Sequence, residues 1–359
     1  MIGVALAAAA AALQLAVAGP VVTQGGAPFF PVLFYWQCGA SAQAAAAAGA
    51  DFFVEQPYTA CSPLQPNDFA TEPVPPGVRV LSDDYGSSPD GGWYLPDEPD
   101  ATLEGAAGLP TLPPASQTGR LRVVNLSQHF FSGQALIRPG YDRREYAQLA
   151  SFGDLVGFDL YPVVKFCGRV PLLDVYRAQR ELRTLYAPGQ PTFQWIETGA
   201  MTGECPTVTV TPEIARAEAW LAVAGGANGI GWFTSGWDAT GWDRWLVSDA
   251  MEQTIAATDA QLHSLAPVLT TPPGDIVLPW NGTVAASMRT YDGQLWLIAV
   301  NGSDKPTTVP MRVDALRGRT LAVLGENRVL RPTKKVYLRD TFAPYAVHIY
   351  VTPSSKARR

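Results

Sequence analysis

The stretch Gly92-Trp93-Tyr94-Leu95-Pro96-Asp97-Glu98-Pro99-Asp100 sets carboxylates directly behind a short apolar run. Trp93 to Leu95 has the length of a buried strand. Pro96 stops it, and Pro99 blocks further ladder pairing while suiting the first turn of a helix. Glu98 is therefore expected where a buried strand ends and a loop begins. In a parallel barrel that is where catalytic side chains gather. Acidic residues beside a helix-opening proline also complement the helix dipole, so the motif alone leaves both roles open. A second glutamate, Glu197, ends the run Thr192-Phe193-Gln194-Trp195-Ile196 and precedes Thr198-Gly199. Its equivalent context favours a functional role for both.

Composition removes several other chemistries. The chain has 359 residues and a formal charge of -6, which argues against a nucleic-acid partner. His129, His263 and His348 are far apart in sequence. Cys38, Cys61, Cys167 and Cys205 form no CxxC pair. A zinc site, a Ser-His-Asp triad and a phosphate-binding glycine fingerprint all lack their residues, so no metal and no cofactor is expected. Ten Trp and thirteen Tyr supply rings that can stack on sugars or simply fill a core.

The elements that must position the glutamates follow from periodicity. Short apolar strands are expected at Phe29–Trp36, Asp51–Gln56, Val78–Asp83, Trp93–Leu95, Leu121–Leu126, Asp154–Tyr161, Thr192–Glu197 and Gly229–Phe233. Helices are expected at Ser41–Ala48, Asp142–Phe152, Pro171–Tyr186, Pro212–Ala224 (capped by Thr211) and Asp249–Val268. Strands alternating with helices make a parallel sheet, and eight of them make an α/β (β/α)8 TIM barrel. About nine residues separate Asp83 from Trp93, too few for a helical crossover, so a regular third helix is not expected.

From Thr270 the pattern becomes short strands and turns: Ile276–Trp280, Val284–Thr290, Leu295–Val300, Thr308–Val313, Leu321–Leu324 and Ala346–Val351. Asp292-Gly293 and Asn301-Gly302 mark turns. The expected organisation is a signal-like segment over 1–18, a barrel over 19–269, a small antiparallel β-sandwich over 270–353 and a disordered basic tail over 354–359. Met1 to Ala18 is apolar and ends in Ala16-Val17-Ala18, a small-x-small cleavage pattern, although it lacks the basic start of a signal peptide. This reading implies export to a secreted or cell-envelope location, with no stable membrane insertion after processing. In the strand count the four cysteines follow strands one, two, six and seven. Loops of neighbouring strands are close in space, so the expected disulfides are Cys38–Cys61 and Cys167–Cys205.

Glu98 at the end of strand four and Glu197 at the end of strand seven resemble the layout of the clan A glycoside hydrolases. Asp97-Glu98-Pro99 is similar to the Asn-Glu-Pro of that clan. Trp195-Ile196-Glu197-Thr198-Gly199 resembles its strand-seven segment. Asp159-Leu160-Tyr161-Pro162 resembles its strand-six segment, and Trp232 matches its strand-eight tryptophan. The resemblance implies a retaining glycosidase acting on an oligosaccharide or polysaccharide by double displacement. Glu98 would be the acid/base, and Glu197 the nucleophile, oriented by Tyr161. Two such carboxyls stand about 5–5.5 Å apart. Tyr35, Trp93, Trp195 and Trp232 are then candidate ring-stacking surfaces. Gln37, Gln56, Asp83, Asp97, Asp159 and Gln194 are candidates for sugar hydroxyls. Two departures stand out: Asp97 replaces the usual Asn, and strand two ends in Glu55-Gln56-Pro57 without the frequent Arg. A non-catalytic glycan-binding barrel and a cell-surface interaction protein remain alternatives.

Overall fold

The computed structural model describes residues 14–354, apart from 38, 55–59, 63–64, 67–73, 103–105, 135–142, 200–204, 206–207, 239–240, 277–281, 334 and 336. The chain opens with β1 (Leu15–Ala18), β2 (Val21–Gln24) and β3 (Ala27–Phe29), an antiparallel sheet. Ala18 pairs with Val21 and Leu15 with Gln24, and Leu15 is fully buried. The small-x-small residues lie in a strand whose exposure increases from Leu15 to Ala18.

Eight parallel strands close the barrel. They are β4 (Val32–Tyr35), β5 (Phe52–Val54), β8 (Arg79–Ser82), β9 (Gly92–Tyr94), β10 (Leu121–Ser127), β11 (Leu155–Asp159), β12 (Trp195–Glu197) and β13 (Ile230–Phe233). A short hairpin, β6 (Ala60–Ser62) and β7 (Gln65–Pro66), lies between the second and third of them. All eight barrel strands fall within one or two residues of an expected strand or inside it. No helix interrupts residues 83–91, so the third crossover is extended. Phe193 and Trp195 are buried ring side chains of the barrel core. They find room because the neighbouring strands carry glycine at the facing positions, Gly157 and Gly231.

The helices pack outside. Pro212–Gly225 has Pro at its first turn and Thr211 as its cap, accepting the Ile214 N–H, as the sequence implies. The expected 171–186 helix is α-helical over Leu173–Glu181 and then widens into a π turn over Leu182–Tyr186.

After the hairpin β14 (Gly236–Asp238) and β15 (Gly241–Asp243), the C-terminal strands run from β16 (Gly274–Asp275) to β23 (Val347–Val351). β17 (Val284–Tyr291) and β18 (Gln294–Asn301) form a hairpin at Asp292-Gly293, both left-handed with φ of 45° and 74°, the conformation a tight type I′ turn requires. β18 is buried on both faces. Leu295, Leu297 and Ala299 pack with Val309, Met311, Leu338 and Phe342 of the small sheet formed by β19 (Thr307–Arg312) and β22 (Tyr337–Phe342). Ile298 and Val300 join the core that also holds the Pro212–Gly225 helix. The remaining strands are β20 (Leu321–Val323) and β21 (Val329–Leu330). β21 and β22 escape the sequence pattern; in β22, Arg339 and Asp340 interrupt the apolar alternation. Most of the expected strand Ile276–Trp280 lies outside the described residues.

Candidate active site

At the C-terminal mouth of the barrel a pocket of about 270 Å³ is lined by Tyr35, Trp36, Asp97, Glu98, Asn125, Asp159, Tyr161, Lys165, Trp195 and Phe233. Tyr35 stands at the centre of its aromatic wall. Its ring stacks on Trp36 at 5.0 Å and meets Trp195 and Phe233 at 5.3 Å each.

The acidic motif is held from both sides. Asp97 accepts hydrogen bonds from Tyr94 Oη (2.8 Å), Asn125 Nδ2 (2.9 Å) and Tyr35 Oη (3.0 Å), so strands β9, β10 and β4 all fix it. Burial still pushes its carboxyl up, against the pull of those donors. Asp100 is fully buried and accepts the Ser127 N–H (2.9 Å) and hydroxyl (2.6 Å), which ties the turn to the end of β10. Burial raises it to about 6. Between these anchors Glu98 takes a left-handed backbone, φ 45°, and lines the pocket.

Asp159 ends β11, opposite Trp195 in register, and hydrogen bonds to Glu98. Burial first, then the Glu98 and Asp97 charges, push its carboxyl well up, while Lys165 opposes them.

Glu197 ends β12 as expected, but its side chain is engaged away from the pocket. It is fully buried and does not line the pocket. Its Oε1 accepts the Val163 N–H at 2.8 Å and its Oε2 the Val164 N–H at 2.7 Å. It also faces the buried Glu218 of the outer helix, whose carboxyl burial and the Glu197 charge push well up. Burial raises Glu197 itself to about 7. Each carboxylate oxygen thus accepts one backbone donor from the loop after β11.

Other expected residues divide similarly. Tyr35, Asp97, Asp159, Tyr161 and Trp195 are in the pocket. Trp232 is not: it lies buried, its Nε1 donating to Asp259 at 2.8 Å on the helix Asp249–Ser264. Its neighbour Phe233 takes the pocket position, because successive strand residues face opposite ways. Trp93 is buried, its indole N–H directed to the Ser87 carbonyl. Gln37 is buried behind the wall, bonded to Thr234 Oγ1 and the Tyr35 carbonyl. Gln194 is buried too, and Asp83 lies beside Tyr85 outside the pocket. Gln56 and Cys38 lie outside the described residues, and with them the expected Cys38–Cys61 bridge. The expected Cys167–Cys205 bridge is present.

The pocket residues that sequence reasoning missed are Trp36, Asn125, Lys165 and Phe233. Asn125 had a signal, a lone amide near the end of an apolar strand. Among the described residues no cluster of His, Cys, Asp and Glu is arranged to hold a metal ion, and no helix is long and apolar enough to cross a membrane.

No family model and no curated protein matches the chain. Solved structures do match in fold. An α-amylase from Geobacillus thermoleovorans, determined with acarbose, is 14% identical, covers 91% of this chain and 98% of its own, and superposes with a TM-score of 0.51. A putative α-galactosidase/melibiase from Bacteroides fragilis is 13% identical over 90% of this chain and 79% of its own, with a TM-score of 0.49. A family 39 glycoside hydrolase from Bacteroides cellulosilyticus is 13% identical over 93% of this chain and 84% of its own, with a TM-score of 0.45. The likeness to the α-amylase is one of overall fold.

Proposed function

We propose that this chain hydrolyses a glycosidic bond of an oligosaccharide or polysaccharide in the pocket at the barrel mouth, with Glu98 as the acid/base. One observation carries the reading: Glu98 is held in a left-handed conformation, between two anchored aspartates, in a pocket walled by aromatic rings. Non-glycine residues are uncommon in that region, and such strain, on the order of 1–3 kcal/mol, collects at functional sites. Trp36, with φ 55°, lines the same pocket. Rings suit the apolar faces of a sugar, and carboxylates suit its hydroxyls and the positive charge of an oxocarbenium-like transition state.

In this reading Glu98 protonates the leaving oxygen as its bond to the anomeric carbon breaks, then takes a proton from the attacking water. Asp97, held by three donors, faces the developing positive charge. Glu197 positions the loop after β11, which carries Lys165 into the pocket. The Cys167–Cys205 bridge supports action outside the reducing cytosol.

The test is turnover of aryl glycosides and polysaccharides by the wild type and Glu98→Gln. The variant is expected to be roughly 10²–10⁴-fold slower, most of all on poor leaving groups. Equal rates would overturn the assignment of Glu98. A wild type that binds glycans on an array without cleaving them would be a sugar-binding barrel. One that binds none would return the chain to the interaction-protein reading.

A further inference from the structure

We propose that Asp159 is the second catalytic carboxyl of this site, acting as the hydrogen-bonded partner of Glu98. The inference rests on the glycosidase reading above and goes beyond it by replacing the strand-seven glutamate with an aspartate from strand six.

Three observations carry it. Asp159 lines the pocket, and its side chain meets Glu98 directly. Its Oδ1 has no hydrogen-bond partner although the atom is shielded from solvent. An unpartnered buried acceptor is costly unless a ligand group completes it, and a substrate in this pocket can do so. Glu197 has both oxygens committed to Val163 and Val164 and does not reach the pocket.

The groups around Asp159 explain how the pair would work. Glu98 and Asp97 face it from the turn after β9, and Tyr35 from β4. Tyr161 and Lys165 face it from its own loop. The tyrosines are neutral, because burial pushes each phenol well up. Lys165 is the one cation among the residues lining the pocket, against three carboxyls. Burial and the neighbouring Glu98 and Asp97 charges favour the protonated form of Asp159, so it can bring a proton into the pocket.

The reaction then balances. A proton of the carboxyl pair goes to the glycosidic oxygen, which leaves with the electron pair of its bond to the anomeric carbon. A water oxygen supplies the new pair to that carbon, and its released proton returns to the carboxylate left behind. One water is consumed, and the pair regains the proton it gave.

The experiment is a carboxyl-carbon NMR titration of the full-length wild type, Asp159→Asn and Glu98→Gln, with kinetics on the same samples. In the wild type the Asp159 carboxyl is expected to titrate well above the ordinary carboxylate range, and in Glu98→Gln it should move down, because the Glu98 charge that raises it is gone. In Asp159→Asn kcat should fall at least 100-fold with KM within a few-fold. Asp159→Glu should recover part of that loss. A kcat unchanged by Asp159→Asn, or an Asp159 titration unchanged by Glu98→Gln, would overturn the proposal. The wild-type titration needs no substitution, so a variant that fails to fold does not remove the test. A wild type without turnover on any glycoside would overturn the glycosidase reading and with it the catalytic role, while the titration would still report whether the Glu98 charge acts on Asp159.

Discussion

The indole of Trp195 occupies the space that a side chain on Gly231 would need. The two residues pair in register on β12 and β13, and a Cβ at Gly231 would lie 2.3 Å from Trp195 Cε3. Gly231→Ala should therefore displace the ring that walls the pocket. The expected loss is about 1–3 kcal/mol, the usual effect of overpacking. Urea unfolding checks it, and an unchanged midpoint together with unchanged tryptophan fluorescence would contradict it.

Tyr35→Phe tests the anchoring of Asp97. It removes one donor to a largely buried carboxylate and leaves the ring in place. Hydrogen bonds to charged groups contribute about 1.5–3 kcal/mol, so a destabilisation in that range is expected. The Asp97 carboxyl should also rise further, since one of its lowering partners is gone. Carboxyl NMR reads the shift, and a fall would count against the bond.

Stability should decline as pH rises from about 4.5 to 7. Burial raises Asp100 to about 6 and Glu197 to about 7, from 3.8 and 4.5. Across that window the folded chain binds more protons than the unfolded chain. The contribution is fully present below the unfolded values and is lost as pH passes through the folded ones. Glu197 alone corresponds to roughly 2–3 kcal/mol. Asp340 acts the other way. Burial pushes it up, but His348, Arg328 and Tyr350 outweigh burial and hold it below the ordinary range. Its contribution is lost only at much lower pH. Urea midpoints at constant ionic strength should be higher near pH 5 than at pH 8; the reverse order would refute the assignment of buried acids.

Cys167→Ser with Cys205→Ser should cost about 2–4 kcal/mol, because the bridge closes a loop spanning 38 positions. It should also loosen the segment that holds Lys165 near the pocket. Hydrogen exchange over residues 161–169, with and without reductant, reads this directly. Identical protection in both states would show that the Glu197 bracket suffices alone.

What the sequence made legible, and what it hid, follows one physical line. Barrel strands are short apolar runs, and their order needs only counting, so all eight could be read. The missing third helix followed from the length of the segment before Trp93. Cys167 and Cys205 paired as their loops required. Side-chain direction was harder. Trp232 and Phe233 are one residue apart and face opposite ways, and resemblance favoured the wrong one. Glu197 ends its strand as expected, yet two backbone N–H groups from another loop capture it. No local pattern announces that capture, since Val163 and Val164 are 34 and 33 positions away.

The two-sided burial of β18 has a consequence for how the molecule comes apart. Alternate side chains of one strand belong to two interiors, with Leu297 facing the C-terminal sheets and Ile298 facing the barrel helices. Arg289, on the paired strand β17, is fully buried and donates to the Val223 and Leu269 carbonyls at the ends of two helices of the barrel half. Neither half can open without exposing the other's apolar surface or stranding a guanidinium. The chain should melt in a single calorimetric transition, and expression of the barrel cut after Thr270 should give aggregate instead of an independent catalytic module.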